Sequence, residues 1–368
     1  MIRILNVIGR RPTGGIGAVV TNYQSNFPEE IVFDYLLFSD DLTGEFDNHV
    51  KEMGSKVFVL PALKSSRFIS INQQIKQFFT EVKNEYDIVH IHTVNIAFLV
   101  ARYARKNGIN HIIAHSHATK FSDKKVRAIR NQILCLDLKN ICTDFVACSY
   151  EAGQFLYGNQ FMKTGKVRII KNAINVEKYS FSEAKRTRFR EDFKLDDEII
   201  FSNIGRLSVQ KNQSFLIDIY REIEKEIPNS KLFIVGDGEE KSKLVKKVQD
   251  LNLQNNIIFT GKRNDIDEIL SGVDVLLMPS LYEGLPVIGV EALASGLLCI
   301  FSDSISKEFN SKNSFYVSLQ ESAATWAKQT ISITSRTNSR KSLAKEMGYD
   351  ITEEAPKLIE FYKEIVEK

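Results

Sequence analysis

The chain has 368 residues, of which 43% are hydrophobic and 26% are charged. This length is more than one hydrophobic core usually organises, so it predicts a globular protein of two domains. A formal charge of +3 is too small to indicate a nucleic acid partner. No apolar run approaches the roughly 20 residues needed to span a bilayer, and the chain begins with a strand-like run rather than a secretory leader. Four cysteines without a C-x-x-C pair favour a reducing cytoplasm. Because no run is long enough to span a bilayer, any membrane contact is expected to be peripheral.

Short β-rich runs alternate with longer helical patterns along the whole chain. In the first half the predicted strands are IRILNVI, FDYLLF, KVFVL, DIVHIH, HIIAH, DFVAC and VRII. In the second half they are IIFSNIG, KLFIVG, NIIFTG, VDVLLMP, LLCIFS and SFYVSL. Because these runs are continuously apolar, they indicate parallel strands covered by helices on both faces. The sequence therefore predicts an α/β protein with two doubly wound Rossmann-like domains that face one another across a cleft.

A charged stretch without a strand, residues 175–198, separates the two series of strands. It predicts an N-terminal domain over 1–172, a C-terminal domain over 173–350, and a last helix over 351–368 that crosses back to the N-terminal domain. Ligands of open α/β sheets bind beyond the carboxyl ends of the strands. The functional residues are therefore expected on the loops at those ends.

A glycine-rich loop follows the first strand in the run RRPTGGIGAVV, with Gly14, Gly15 and Gly17. One interpretation is a dinucleotide-binding fingerprint in which Asp40, at the end of the second strand, binds a ribose. Two observations disfavour it. Val20 stands where a third glycine is needed for close packing of helix and strand, and the glycines begin six residues beyond Ile8.

Five of the six histidines cluster near the ends of two predicted strands: His90, His92, His111, His115 and His117. Two pairs have a spacing of two, which places each pair on one face of a strand end. A zinc hydrolase is one alternative. No H-E-x-x-H motif or carboxylate partner accompanies the histidines, so the prediction is that they line a pocket or bind carbonyl groups and that there is no metal site.

Three loops of the second half carry cations and glycines that suit a phosphate ligand. NIGRLSVQKNQSF places Gly205, Arg206 and Lys211 after a strand and before a helix that begins near Asn212. A guanidinium fork and an ammonium group beside a helix N-terminus suit a diphosphate. IVGDGEE adds Gly236 and Gly238, which favour either close approach of a ligand or a tight turn.

The third loop, in FTGKRNDIDEIL, has Lys262 at the end of a strand, where a planar base could lie against the main chain. Asp265 and Asp267 superficially resemble a D-x-D metal motif. We interpret Asn264 as a helix N-cap and the two aspartates as residues of the first helical turn.

The segment LYEGLPVIGVEALASG carries two glutamates, Glu283 and Glu291, with a Gly-Leu-Pro turn after the first. A helix is predicted to start near Pro286, with Glu283 before it and Glu291 about one and a half turns inside it. Carboxylates accept hydrogen bonds from vicinal hydroxyls, so one glutamate per sugar ring is one interpretation. A helix cap and a solvated helical residue are the alternative.

Taken together, GRLSVQKN, VGDGEE, FTGKRNDI and YEGLPVIGVEALASG resemble the GT-B-fold retaining glycosyltransferases of family 4, and among them bacterial exopolysaccharide and capsule transferases. The resemblance covers nearly the whole chain. It implies that Glu283 contacts the donor hexose, that Glu291 contacts the ribose, and that Arg206 and Lys211 bind the diphosphate. The segment around Gly284, Leu285, Pro286 and Val287 would surround the sugar and the phosphates.

In the first half, the resemblance implies that the loop at Gly15 faces the donor phosphates and that the AHSHAT loop lies near the donor sugar, with His115 or His117 as the contact. The implied reaction is transfer of a hexosyl unit from a UDP-sugar, with retention and without a metal or other cofactor. The acceptor would be a hydroxyl of a lipid-linked oligosaccharide or polysaccharide. A nucleotide-sugar epimerase of the same fold and a non-catalytic sugar-binding accessory subunit are the alternatives.

A basic stretch, TKFSDKKVRAIRNQIL, has an apolar series at helical spacing, Val126, Ile129 and Ile133, among Lys120, Lys124, Lys125, Arg127 and Arg130. The pattern is typical of a helix that packs on the core and exposes a solvated basic face. The second interpretation is a helix that approaches anionic lipid or the pyrophosphate of the acceptor.

Overall fold

The computed structural model describes residues 1–12, 14–41, 44–122, 125–334 and 340–367. The chain divides into two compact units, here called the N-terminal unit (Met1–Ala173 with Ile351–Lys368) and the C-terminal unit (Ile174–Asp350). The division follows Ala173, one residue later than the predicted boundary after residue 172.

The N-terminal unit contains one parallel sheet of seven strands, in the order β3-β2-β1-β4-β5-β6-β7. The strands are β1 (Ile2–Ile8), β2 (Ile31–Phe38), β3 (Val57–Leu60), β4 (Ile88–Ile91), β5 (His111–Ser116), β6 (Asp144–Ala147) and β7 (Val167–Ile169). The helices between them are α1 (Gly15–Gln24), α2 (Glu45–Glu52), α3 (Phe68–Glu81), α4 (Ala97–Lys106), α5 (Lys125–Leu134), α6 (Leu138–Ile141), α7 (Tyr150–Tyr157) and α8 (Asn159–Met162). Short 3-10 segments occur at Ser65–Arg67 and Val94–Ile96.

The C-terminal unit contains a second parallel sheet, of six strands, in the order β10-β9-β8-β11-β12-β13. The strands are β8 (Ile199–Ile204), β9 (Ser230–Val235), β10 (Ile257–Gly261), β11 (Val275–Met278), β12 (Leu298–Ser302) and β13 (Ser314–Val317). The helices are α9 (Val176–Tyr179), α10 (Glu183–Asp192), α11 (Gln213–Glu226), α12 (Lys241–Asp250), α13 (Ile266–Gly272), α14 (Val287–Ala294) and α15 (Ala323–Thr334). Further 3-10 segments occur at Val209–Lys211 and Lys307–Phe309.

The last helix, α16 (Ile351–Val366), belongs to the N-terminal unit. Its Tyr362 is fully buried and packs edge-on against Phe33 of β2, with ring centroids 6.1 Å apart. Near the end of α16, Glu364 pairs with Arg168 of β7 at 2.7 Å. The apolar face of this helix therefore completes the core of the first sheet.

Both sheets confirm the predicted doubly wound α/β architecture. The central strands are buried along nearly their whole length because helices cover both faces. In each sheet the strand order reverses direction beside the first strand of the unit, between β1 and β4 and between β8 and β11. Adjacent crossovers leave the sheet in opposite directions there, which opens a crevice at the carboxyl ends of the strands. No helix in the described ranges is long and apolar enough to cross a bilayer.

Candidate functional site

The crevice of the C-terminal unit lies between the loops that follow β8 and β11. These strands are neighbours, with Val275 opposite Phe201 and Leu276 opposite Ser202. The loop after β8 carries Arg206 and Lys211, and the loop after β11 carries Glu283. The sheet order therefore explains why residues distant in sequence meet.

Lys211 and Glu283 form an ion pair across this crevice. The Lys211 Nζ atom lies 2.7 Å from Glu283 Oε1, and the two side chains are only 14% and 10% exposed. The amide of Gln210 donates to the other carboxylate oxygen of Glu283 at 3.3 Å and to the carbonyl of Tyr282 at 3.1 Å. A nearly buried carboxylate is thus held in one orientation by a cation and an amide.

Two hydrogen bonds to main-chain carbonyls join the two loops. The N–H of Leu281 donates to the carbonyl of Gln210 at 2.8 Å, and the side-chain amide of Asn212 donates to the carbonyl of Pro279 at 3.1 Å. Asn212 stands at the start of α11 with φ of 54°, a left-handed conformation that asparagine tolerates. The loop after β8 therefore turns sharply into α11 while its cations stay at the crevice.

Arg206 follows β8 directly after Gly205 and is half-buried. Its carbonyl accepts a hydrogen bond from the amide of Gln213 at 3.1 Å, which fixes the main chain. Within the part of the chain that the structure describes, its guanidinium forms no hydrogen bond or ion pair. Arg206 therefore offers an uncommitted guanidinium beside the Lys211–Glu283 pair, as an anion ligand requires.

Gly236 and Gly238 are needed for packing between loops. A Cβ atom on Gly236 would collide with the carbonyl oxygen of Gly205, and one on Gly238 would collide with that of Leu207. Gly236 also has φ of 132°, outside the range of other residues. The sequence left open either close approach of a ligand or a tight turn at these glycines. In the structure they allow the loops after β8 and β9 to approach each other closely.

The loop after β10 differs from the expectation in one respect. Asn264 does not cap α13, because Asp265 occupies the N-cap position and its carboxylate is bound by Arg263 instead of by backbone N–H groups. Asp267 does lie in the first turn, where it pairs with Lys185 at 2.7 Å. Both carboxylates are therefore used in ion pairs. Lys262 is exposed at the end of β10, and its predicted contact with a base stays a prediction.

The Gly-Leu-Pro turn leads into α14 as predicted. Helix α14 begins at Val287, and Pro286 stands at the N-cap position in an extended conformation. Gly284, Leu285, Pro286 and Val287 are all buried. Pro286 has no N–H, so the first amides available at this helix start are those of Val287 and the residues after it.

Glu291 is buried inside α14, so the alternative of a solvated helical residue is wrong. It is 8% exposed and accepts a hydrogen bond from the hydroxyl of Tyr179, at the end of α9. Burial raises the pKa of Glu291 from an ordinary 4.5 to about 7, although Tyr179 and Lys178 both act against this rise. Glu291 is thus a carboxyl group close to its titration point at neutral pH.

This raised pKa predicts a pH dependence of stability. The folded protein binds the Glu291 proton more tightly than the unfolded chain does, so the free energy of unfolding falls as pH rises from about 4.5 to about 7. Glutamine in its place carries no charge at any pH. We therefore expect the free energy of unfolding of Glu291→Gln, relative to that of the parent, to increase by on the order of 2 kcal/mol between pH 5 and pH 8. Urea unfolding of both proteins at the two pH values measures this difference, and an equal difference at both would contradict the burial argument.

In the N-terminal unit, α1 starts at Gly15, which is exposed at the carboxyl end of β1. The dinucleotide interpretation finds no support at Asp40. Its carboxylate pairs with Lys64 at 2.6 Å and with Arg67 at 2.7 Å, which lowers its pKa to about 2. Asp40 is therefore already bound by two cations.

Four histidines form a compact cluster at the carboxyl ends of β4 and β5, here called the histidine tetrad: His90, His92, His115 and His117. His90 Nε2 lies 3.0 Å from His115 Nδ1, and His92 Nδ1 lies 2.8 Å from His117 Nε2. The two hydrogen-bonded pairs stack on each other, with ring centroids 4.3 Å apart for His90 and His92. Burial lowers the pKa of all four imidazoles, to about 3 at His90, so the tetrad is neutral at physiological pH.

Asn6 determines the tautomers of one hydrogen-bonded pair of the tetrad. Its side-chain N–H donates to the carbonyl of Asp34, so its side-chain oxygen faces His92 Nε2 at 3.1 Å and accepts a hydrogen bond from it. His117 Nε2 must then donate to His92 Nδ1, which leaves His117 Nδ1 as a bare acceptor.

The other pair contacts the hydroxyl of Tyr362, which lies 2.8 Å from His90 Nδ1, and either atom can be the donor. His90 Nε2 lies 3.0 Å from His115 Nδ1. Both tautomers of this pair leave His115 Nε2 buried and without a hydrogen-bond partner among the described residues. The tetrad therefore presents an uncommitted ring nitrogen at His115 and an acceptor at His117.

Three members of the tetrad, His90, His92 and His115, have ring nitrogens that all lie within 4.8 Å of one another, a spacing that could also hold a metal ion. Most of these nitrogens are already engaged in hydrogen bonds with another histidine of the tetrad, with Tyr362 or with Asn6. A metal ion would have to replace those bonds, so the absence of a metal site stays a prediction.

Several residues at these positions are not among those predicted from the sequence. Gln210 lies inside the motif GRLSVQKN, which is a usable signal. Tyr179 lies in the charged stretch, where nothing in the pattern marks it. Asn6 is one polar residue within an apolar strand, which is a usable signal, whereas Tyr362 reaches His90 from 272 residues away.

Comparison with known proteins identifies the family. A model described as Glycosyltransferase Family 4 matches residues 13–178, and one described as Glycosyl transferases group 1 matches residues 185–347. The putative glycosyltransferase EpsF of Bacillus subtilis is 28% identical over 100% of this chain and 97% of its own length. The UDP-Gal:alpha-D-GlcNAc-diphosphoundecaprenol alpha-1,3-galactosyltransferase of Escherichia coli is 30% identical over 75% of this chain and 72% of its own length.

A solved structure shares the fold. Anabaena HepE, in complex with UDP and glucose, superposes with a TM-score of 0.81 at 16% identity and covers 99% of this chain and 100% of its own. The predicted GT-B fold class is thereby confirmed. The chain therefore belongs to the group 1, family 4 glycosyltransferases, which are enzymes, as the resemblance of its motifs indicates.

Proposed function

We propose that the protein transfers a hexosyl unit from a UDP-sugar to a hydroxyl of a lipid-linked saccharide, with retention at the anomeric carbon, in the biosynthesis of a bacterial exopolysaccharide or capsule. The observation that carries the proposal is the group of Arg206, Lys211 and Glu283 at the β8–β11 crevice. It combines two cations with one oriented carboxylate, which suits a diphosphate joined to a sugar. The E. coli relative is named for a UDP-galactose donor and a diphosphoundecaprenol-linked acceptor, and the HepE structure contains UDP and glucose.

In this proposal the two cations stabilise the leaving group. The bond between the anomeric carbon and the UDP oxygen breaks, and negative charge develops on the departing diphosphate. Arg206 and Lys211 oppose that charge from fixed positions, while Glu283 accepts a hydrogen bond from a hydroxyl of the donor sugar and orients the ring. The family resemblance implies attack by the acceptor oxygen from the leaving-group face, with its proton passing to the departing phosphate oxygen.

Other predicted contacts are part of the same proposal. Glu291 accepts hydrogen bonds from the ribose hydroxyls in its ionised form. The main chain around Gly205 and from Gly284 to Val287 encloses the phosphates and the sugar, and Lys262 lies near the base. In the N-terminal unit, the helix-start amides at Gly15 bind an anion, and His115 Nε2 forms a hydrogen bond with a substrate hydroxyl.

The direct test is release of UDP by the purified protein from a panel of UDP-sugars, with and without saccharide acceptors. Release that depends on an acceptor supports transfer. Interconversion of the sugar without an acceptor would indicate an epimerase, and binding without turnover an accessory subunit. The anomeric configuration of the first product formed, measured by NMR, tests retention.

Activity is expected to survive an excess of chelator. In the proposed mechanism two protein cations take the place of a metal ion at the diphosphate, so EDTA should leave the rate of acceptor-dependent UDP release unchanged. Initial rates before and after EDTA treatment and dialysis measure this. Complete loss of activity that added zinc or manganese restores would instead assign a metal to the histidine tetrad or to Asp265 and Asp267.

A lipid-linked acceptor lies at a membrane, so we also propose that the enzyme works in the cytoplasm in peripheral contact with the inner face of the membrane. This contact requires a surface that recognises lipid.

A further inference from the structure

Helix α5 exposes its apolar residues, contrary to the expectation that it packs on the core. Val126 is 81% exposed, and Ile129 and Ile133 are each 59% exposed. No residue of α5 is fully buried. The hydrophobic periodicity correctly predicts a helix here, but the apolar stripe has no partner among the described residues. Large apolar side chains grouped on an exposed face mark an interaction surface.

The geometry of α5 shows that this stripe points away from the protein. Successive residues of a helix are rotated by about 100°, so Val126, Ile129 and Ile133 fall within about 60° of one another. Asn131, whose amide donates to the carbonyl of Phe121 at 3.0 Å, lies about 170° from the centre of the stripe on the same projection. The helix is therefore attached along one side and presents its apolar stripe on the opposite side.

Cations border the stripe. Lys125 and Arg130 lie about 70° to either side of its centre, and both are exposed. Across the described residues of 119–139 there are five cations, Lys120, Lys125, Arg127, Arg130 and Lys139, and a single carboxylate, Asp137. Leu136, 74% exposed, follows the helix. An apolar stripe with basic borders is the pattern of a helix that lies in the surface of an anionic bilayer.

We propose that α5, together with Leu136, is the surface that docks this protein on anionic lipid. The stripe of Val126, Ile129 and Ile133 enters the boundary between headgroups and acyl chains. Lys125 and Arg130 reach lipid phosphates from either side, with their stems along the apolar surface. The inference goes beyond the proposed transfer reaction, since it concerns a different surface and can be measured without any sugar substrate.

The test uses flotation of the full-length protein with phosphatidylglycerol–phosphatidylcholine vesicles at low ionic strength. One variant carries Lys125→Glu, Arg127→Glu and Arg130→Glu, and a second carries Val126→Gln, Ile129→Gln and Ile133→Gln. Lys124 lies outside the described residues and is left unchanged. A control variant carries Lys83→Glu, Lys163→Glu and Lys166→Glu, which makes the same change in charge at exposed positions of the same unit.

The charge-reversal variant is expected to bind vesicles at least about 100-fold more weakly, because each basic residue near an anionic surface contributes about 1 kcal/mol. The glutamine variant is expected to lose binding at every salt concentration. The weak binding of the charge-reversal variant should not fall further as salt is added, because the attraction that salt screens has been removed. The control is expected to bind within a few-fold of the parent. All changed positions are exposed, so circular dichroism and Tm should be unchanged.

Parental vesicle binding by both α5 variants would overturn the proposal, as would an equal loss in the control. If the parent does not bind vesicles but sediments as a dimer that the glutamine variant abolishes, the stripe is an interface between copies of this chain and the lipid proposal fails. Transfer to a water-soluble acceptor should be the same in all variants. Vesicle binding without transfer activity would reject the proposed reaction and leave the docking surface intact.

Discussion

Replacing Arg206 or Lys211 by alanine is expected to lower kcat/KM for acceptor-dependent UDP release by several orders of magnitude. Each cation opposes charge that develops on the diphosphate in the transition state, and removal of one such fixed group typically costs 10²- to 10³-fold. Arg206 is the cleaner probe, because its guanidinium has no other partner within the described part of the chain, so its loss leaves no buried charge behind.

Steady-state kinetics of both variants, with Lys231→Ala as the control, measure the effect. Lys231 lies at the amino end of β9, at the opposite end of the strands from the crevice, and donates to the carbonyl of Asn255. Its removal changes the charge of the unit by the same amount and should leave turnover unchanged. Near-normal turnover of Arg206→Ala or of Lys211→Ala would remove that residue from the proposed mechanism.

The second large effect is expected at Glu283. Glutamine keeps the shape of the side chain but removes the charge. In either orientation of the amide, its NH₂ group faces another donor, from Lys211 or from Gln210, and that contact is unfavourable. We therefore expect Glu283→Gln to lower kcat by two or more orders of magnitude. Single-turnover measurement at saturating donor separates this loss from weaker binding.

The ion pair allows two roles of Glu283 to be distinguished. If Glu283 contacts the donor hexose, Glu283→Gln should bind UDP as the parent does and lose affinity only for the intact UDP-sugar. If Glu283 serves only to hold Lys211, UDP affinity should fall as it does in Lys211→Ala. A double-mutant cycle of the two residues measures their coupling, and fully additive losses would show that the pair acts independently.

The local sequence pattern was sufficient to predict the secondary-structure elements of this fold. Each predicted run of Val, Ile, Leu and Phe became a strand of one of the two sheets, because strands covered on both faces must be apolar throughout. The start of α14 after Gly-Leu-Pro followed from the missing N–H of Pro286. The candidate cations could be predicted from their position directly after strands, since the loops at the carboxyl ends of parallel strands lie on the same side of a sheet.

Two expectations failed because they depended on what surrounds a residue. Asparagine is a common N-cap residue, but Arg263 binds Asp265, and Asp265 instead of Asn264 occupies the N-cap position of α13. Helix α5 was expected to pack on the core, but the spacing of its apolar residues is compatible with either a buried or an exposed stripe. Periodicity specifies which residues share a face, whereas the packing of the rest of the unit decides whether that face is covered.

The sequence by itself therefore determined the α/β class, the order of the elements and the family, since apolar runs, turn residues and short motifs are properties of neighbouring residues. Only the tertiary structure decided that Gln210 orients Glu283 and that Tyr179 binds a buried Glu291. It also decided that Asn6 and Tyr362 form hydrogen bonds with His92 and His90 of the histidine tetrad. These contacts join residues on different strands and helices. Such pairs leave no periodic signal, because the sheet order that brings them together is a property of the whole folded unit.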